Sequence, residues 1–237
     1  MLRKFLTAEW RKLIMANYIV DPDIFRSYLP HKTELDSWNG KCYASLVGFM
    51  FLDTRIAGIR IPFHIDFPEV NLRFYVRFKE NGEWKRGVVF LREIVPKPAI
   101  SFVANTLFDE NYISLRMKNA ERITENNLHI SYEWRYKKRW NKLAVMADRI
   151  SQPLISGTAE EFITEHFWGY ASVRTGITGE YQVAHPRWDI YPVNSYEIDC
   201  DFKGLYGESF GDLSSQLPES VFLAEGSEIS VFKRRLV

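Results

Sequence analysis

Residues 70–95 hold the strongest local constraint in this chain. From Val70 to Phe78, Leu72, Phe74, Val76 and Phe78 alternate with Arg73, Tyr75 and Arg77, the period of a strand with unlike faces. Asn81-Gly82 follows, a pair that tolerates the backbone of a tight hairpin turn, and Trp84 to Val95 returns. The pattern predicts an antiparallel hairpin with one face in water.

The rest of the chain repeats the strand theme. Arg11–Val20, Tyr43–Leu52, Thr54–Ile61, Tyr112–Met117, Leu128–Tyr136, Leu143–Ala147, Glu180–Val193 and Tyr196–Asp201 read as strands, and Val221–Ala224 with Glu228–Lys233 as a last hairpin around Glu225-Gly-Ser227. Aromatic residues make up 15%, with 17 Phe, 12 Tyr and 7 Trp, side chains that pack well on pleated sheet. Helices are fewer. Asp21 and Pro22 open one, residues 99–108 carry one buried face, Thr158 and Glu161 have capping-box spacing, and Phe202–Phe210 is a short helix or turn. With no linker or repeat, residues 1–237 read as a single α+β domain, mainly antiparallel β.

Several function classes are disfavoured. Thirty-one basic residues against thirty acidic give a formal charge of +1, so no global field attracts nucleic acid or anionic lipid. The basic and aromatic stretch 132–140 alternates Tyr132, Trp134 and Tyr136 with Glu133, Arg135 and Lys137, a strand with rings inward. Glycine-rich phosphate loops and a Gly-x-Ser-x-Gly elbow are missing from the sequence, as is metal-type spacing among Cys42, Cys200 and the histidines. No cofactor or metal is expected. The N-terminus lacks an apolar signal core, and the longest strongly apolar runs, such as Leu13–Val20, fall short of the roughly 18 residues a membrane helix needs. The expectation is a cytoplasmic protein, with a homo-oligomer left open.

Taken together, Tyr18-Ile-Val-Asp-Pro-Asp23, Leu29-Pro30, Glu34-Leu-Asp36, Gly40, Val47-Gly-Phe49, Glu69-Val-Asn-Leu-Arg73, Glu93-Ile-Val-Pro96, His185-Pro-Arg-Trp188 and Ser220-Val-Phe-Leu-Ala-Glu-Gly226 resemble the uncharacterised bacterial YqjF-like family over nearly the whole chain. That family is similar in fold to acetoacetate decarboxylase. The resemblance implies a closed or cone-shaped sheet with peripheral helices and a pocket inside. It also implies, from the decarboxylase pattern, an arginine on the first strand at Arg11. A catalytic lysine is implied at Lys97, where Arg92-Glu93 and Pro96-Lys97 stand in the family's order with two fewer residues between them. The decarboxylase's second lysine, which lowers the pKa of the first, is Pro98 here, and strand 43–52 has no acid before Asp53.

The candidate site residues are therefore Lys97 as a Schiff-base amine and Arg11 as a carboxylate clamp, each set against a solvent-facing or ion-paired role. Glu69, Arg73, Arg92 and Glu93 form either a polar network lining a cavity or ion pairs on an exposed face. His185 is a candidate acid, base or ligand contact. The leading expectation is a small-molecule binding protein. The alternatives are a lyase or decarboxylase acting on a small keto acid or carbonyl compound, and a protein–protein interaction module.

Overall fold

The computed structural model describes residues 3–237. Its main element is a 12-stranded sheet. Within it β15 (Ser220–Phe232), β1 (Lys4–Ile19), β3 (Tyr43–Ile56), β5 (Phe67–Glu80), β6 (Glu83–Val95), β11 (Trp168–Arg174) and β12 (Ile177–Ala184) follow one another, and β12 pairs back onto β15. The sheet thus curls into a partly closed ring. These seven strands pair antiparallel with their neighbours except at β6–β11, where Trp168 and Gly169 lie parallel to Gly87 and Val88. The other seam is equally short, with Val183 and Ala184 opposite Val231 and Ser230. Glycine is needed at the parallel seam: a Cβ on Gly87 would meet the Trp168 carbonyl, and one on Gly169 the Tyr181 ring. The fully buried Glu180 fastens β12 further, accepting from Arg235 Nε at 2.7 Å, Tyr170 Oη at 3.2 Å and Lys85 Nζ at 3.3 Å.

Short strands extend the ring: β2 (Thr33–Leu35) on β5, β4 (Ile59–Arg60) on β3, β7 (Tyr112–Ser114) on β6, β13 (Ile190–Tyr191) on β15 and β16 (Arg235–Leu236) on β12. A separate 4-stranded sheet runs β14 (Val193–Asp199), β10 (Arg139–Asp148), β9 (Asn127–Tyr136), β8 (Arg116–Ile123). Among the described residues three α-helices, α1 (Pro98–Phe108), α2 (Ala159–Thr164) and α3 (Phe202–Tyr206), and two 3-10 helices, Pro22–Tyr28 and Glu208–Ser214, complete the fold. Thr158 caps α2 by accepting from Glu161 N at 3.3 Å, while Glu161 reaches back to Gly157 N at 2.7 Å.

Alternation along the ring strands produces two cores. Outward-facing Ala44, Leu46, Leu72, Phe74 and Val76 pack with Ile130, Tyr132, Trp134 and Leu143 of the second sheet and with Phe202 and Phe210. Inward-facing Tyr43, Val47, Phe49, Phe67, Tyr75 and Val88 gather with Phe162, Trp188 and Phe222 inside the ring. The rings of Tyr132 and Trp134 point inward, as their alternation predicts.

Three strand expectations need correction. The hairpin strand over 70–78 is not half-exposed. Arg73 and Tyr75 are buried, like Leu72 and Phe74, because that part of the polar face looks into the ring; only Arg77, at the strand's end, meets water. The runs 43–52 and 54–61 are one strand, β3, that turns only at Ala57-Gly58. The final hairpin at 221–233 is one continuous strand, β15. Gly226 bends it at φ +82° where it crosses Arg11, so Glu225-Gly-Ser227 is no reversing turn. A side chain at Gly226 meets both a left-handed backbone and the Trp10 carbonyl. Replacing Gly226 with Ala should lower unfolding free energy by about 2 kcal/mol or more in urea titration, through strain added to overpacking. A change within the error of the titration would show that the bend relaxes freely.

Candidate ligand cavity

The ring encloses a cavity of about 350 Å³. Its wall is mainly apolar: Trp10, Phe49, Phe51, Phe67 and Phe90 from the strands, Trp188 from the connection between β12 and β13, and Ile100, Val103 and Phe108 from α1 contribute to it. Such a space, lined by rings with few polar groups, has the character of a small-molecule site.

The polar groups come from the inward face of β5 and its neighbours. Residues two apart on a strand share a face, so Glu69, Asn71 and Arg73 line the cavity together. Asn71 lies opposite Glu93 on β6. A pairing shift after Leu72 then sets Arg73 opposite Phe90 and leaves Arg92 opposite the outward Leu72. Glu110 and Tyr112 enter just beyond α1, and Tyr181 from β12.

These side chains form one buried network. Asn71 Nδ2 donates to Glu69 Oε1 at 2.9 Å, Tyr112 Oη to Glu69 Oε2 at 3.1 Å, and Tyr181 Oη to Glu110 Oε1 at 2.7 Å. Burial dominates its electrostatics, because a charge leaves water at high cost. Desolvation pushes the Glu69 carboxyl up to about 7 against the opposing bonds from Asn71 and Tyr112 and the Arg73 charge. It pushes Glu110 up to about 8 against the bond from Tyr181. Glu93 is raised well above the usual range, by burial first and then by Glu110 and Glu69. The Tyr112 and Tyr181 hydroxyls rise for the same reason. At neutral pH this cluster therefore retains protons that surface carboxylates lose.

Arg73 is the cation beside it. Only 9% exposed, it donates from Nη2 to Ile163 O at 3.5 Å and approaches Met15 Sδ at 3.9 Å. Its Nε has no partner, and it forms no ion pair among the described residues.

Three histidines reach the wall, His64, His166 and His185, and the last two are buried deeply enough to be shifted. Burial pushes Asp36 up, but bonds from His166 Nε2 at 3.2 Å and Arg86 Nε at 2.7 Å outweigh it and hold the carboxyl below the usual range. Burial takes His166 down to about 4. An ionised Asp36 can only accept, so neutral His166 donates from Nε2 and keeps Nδ1 as an acceptor, which has no partner. His185 stacks on Trp188 with ring centres 4.1 Å apart, and burial takes it down to about 4 as well.

Of the candidates read from sequence, Glu69, Arg73, Glu93 and His185 line the cavity. The structure does not bring Arg92, Lys97 or Arg11 there. Arg92 follows the outward face and lies near Tyr206. Lys97 precedes α1, where its carbonyl accepts from Ile100 and Ser101. Arg11 binds Glu9 at 2.7 Å and lies 3.6 Å from Glu225. A bulge at Lys12, with φ +55°, breaks the alternation that would carry Arg11 inward. Asn71, Glu110, Tyr112 and Tyr181 were missed by sequence reasoning. Only Asn71 had a signal, its place midway between Glu69 and Arg73. Among the described residues, no cluster of three or more His, Cys, Asp or Glu could hold a metal ion, and no helix is long and apolar enough to cross a membrane.

The shifts set a pH dependence. The two histidines are neutral when folded, with values below their ordinary 6.5, so their contribution is lost as pH falls from about 6.5 to about 4. The carboxyls lie above their ordinary 4.5, so theirs is lost as pH rises from there through about 7 to 8. Above pH 6.5 only the carboxyl trend remains. Melting temperature should fall between about pH 7 and 9, and Glu110→Gln, which cannot ionise, should flatten that fall. Parallel curves for the two proteins would show that Glu110 is ionised at neutral pH.

Comparison with known proteins agrees with this architecture. The chain is 29% identical over 186 residues to the uncharacterized protein YqjF of Bacillus subtilis (strain 168), covering 76% of this chain and 72% of that one. In fold it is similar to acetoacetate decarboxylase from Legionella pneumophila, with TM-score 0.66 and 11% identity over 99% of this chain and 88% of that one. It is similarly close to the enduracididine biosynthesis enzyme MppR complexed with pyruvate, with TM-score 0.67 and 12% identity over 100% and 91%. The family model for DUF2071, described as an uncharacterized conserved protein, matches residues 7–228, and the chain belongs to that family.

Proposed function

We propose that this protein binds a small organic carboxylate inside the ring, its anionic head on Arg73 and its apolar body among the aromatic side chains. The observation that carries this reading is the unpaired guanidinium in the cavity wall. A buried arginine without a carboxylate partner is costly, and a bidentate anion would satisfy it. The neighbouring carboxyls do not fill that role, because burial favours their neutral forms. One neighbour in fold, MppR, has been captured with pyruvate, itself a small carboxylate. In this reading residues 1–237 act as one unit in the cytoplasm.

A decarboxylase-like Schiff base requires a lysine amine in the cavity. No described lysine lines it, and Lys97 stands outside at the start of α1. The binding reading is favoured for that reason, and over an interaction module because buried polar groups converge in the cavity wall.

Hexanoate is a suitable probe. It should bind the native protein in calorimetric titration, and Arg73→Met should weaken it about tenfold or more, the effect of losing a charged hydrogen bond. Equal affinity in both proteins would refute the clamp. Borohydride treatment with pyruvate should leave Lys97 unmodified. An adduct there would restore the lyase reading.

A further inference from the structure

We propose that Glu93 and Glu110, with Glu69 behind them, form a second subsite that takes a basic nitrogen, so that the ligand is a zwitterion with its carboxylate on Arg73 and its ammonium on the acid cluster. This deepens the reading of Arg73 and rests on it.

The case is one of donors and acceptors. The Asn71 amide and the Tyr112 hydroxyl fill both oxygens of Glu69, and the Tyr181 hydroxyl fills one oxygen of Glu110. Glu93 is 2% exposed, and although Tyr112 reaches its carboxyl, its Oε2 is buried without a partner. The amide oxygen of Asn71, a residue 1% exposed in the same wall, is also buried without a partner. Buried acceptors are normally satisfied, and once one carboxyl gives up its proton these outnumber the donors that protein side chains bring to them. A primary ammonium carries three N–H donors and no acceptor, the complement of this set.

The groups facing the cluster are Arg73 on β5, Tyr112 beyond α1 and Tyr181 on β12. Arg73 repels a lone cation, and the ligand's own carboxylate removes that repulsion when it pairs with the guanidinium. Binding exchanges charge in balance: one carboxyl O–H gives its proton to solvent, and the resulting carboxylate accepts from the ammonium. Burial raises Glu110 to about 8 and Glu93 in the same direction, so at neutral pH Glu110 holds a proton available for release.

The test titrates hexylamine, hexanoate and 6-aminohexanoate into native protein, Arg73→Met, Glu93→Gln and Glu110→Gln, near neutral pH, in phosphate and in Tris. 6-Aminohexanoate should bind native protein and weaken about tenfold in at least one glutamine variant that melts cooperatively, and hexylamine, which Arg73 repels in native protein, should bind Arg73→Met more tightly than native. The apparent heat of 6-aminohexanoate should differ between the buffers because a proton leaves, and hexanoate should keep its affinity in the glutamine variants. Equal binding of 6-aminohexanoate to native and both glutamine proteins would overturn the subsite while leaving the Arg73 clamp intact. Equal hexanoate affinity in native protein and Arg73→Met would sink the clamp, and with it the zwitterion.

Discussion

Everything inside this protein depends on the sheet being closed against itself at two narrow seams. One is the parallel contact of β6 with β11 and the other the antiparallel contact of β12 with β15. Each joins only a few residues, so side-chain anchoring matters. Gly87 and Gly169 allow the first approach, and the Glu180 hub ties β12 to β6 and β16 around the second. Closure decides what the second face of each ring strand meets. Without it that face would be wet, and the charges on β5 would be ordinary surface groups.

With closure the same charges become expensive. Three carboxyls, two tyrosines and an amide form a network in which desolvation outweighs hydrogen bonding, so acids keep their protons. Arg73 cannot respond by losing its charge, since a guanidinium holds its proton in any protein environment. The interior is thus left with a permanent cation and a set of neutral acids. A polar arrangement so incompletely satisfied within an apolar shell is more readily explained by a ligand than by stability.

The sequence showed part of this. Period-two alternation placed Glu69 and Arg73 on a common face, and the Asn81-Gly82 turn fixed their hairpin. Alternation cannot say whether a polar face meets solvent or a cavity, which is why that strand read as half-exposed. Bulges were invisible for a related reason. Lys12 and Gly226 shift register without any distinctive composition, and they decide that Arg11 stays outside and that β15 runs through its Glu-Gly-Ser segment. Glu110, Tyr112, His166 and Tyr181 reach the site from separate elements, and their convergence follows from ring topology rather than local pattern. The resemblance to the decarboxylase fold pointed correctly to a β-rich ring with a pocket. Carried over residue by residue, it pointed to Lys97 and Arg11, which the altered spacing and the bulge place elsewhere.

The protonation of the interior acids at neutral pH is the most direct measure of whether the ring is closed and dry. Infrared spectroscopy in heavy water separates the carbonyl stretch of a protonated carboxyl from the carboxylate bands. The account predicts a protonated carboxyl band in native protein near neutral pH that loses most of its intensity in the Glu93→Gln, Glu110→Gln double variant. A native spectrum showing only ionised carboxylates would contradict it, because the cavity would then be an open, hydrated cleft.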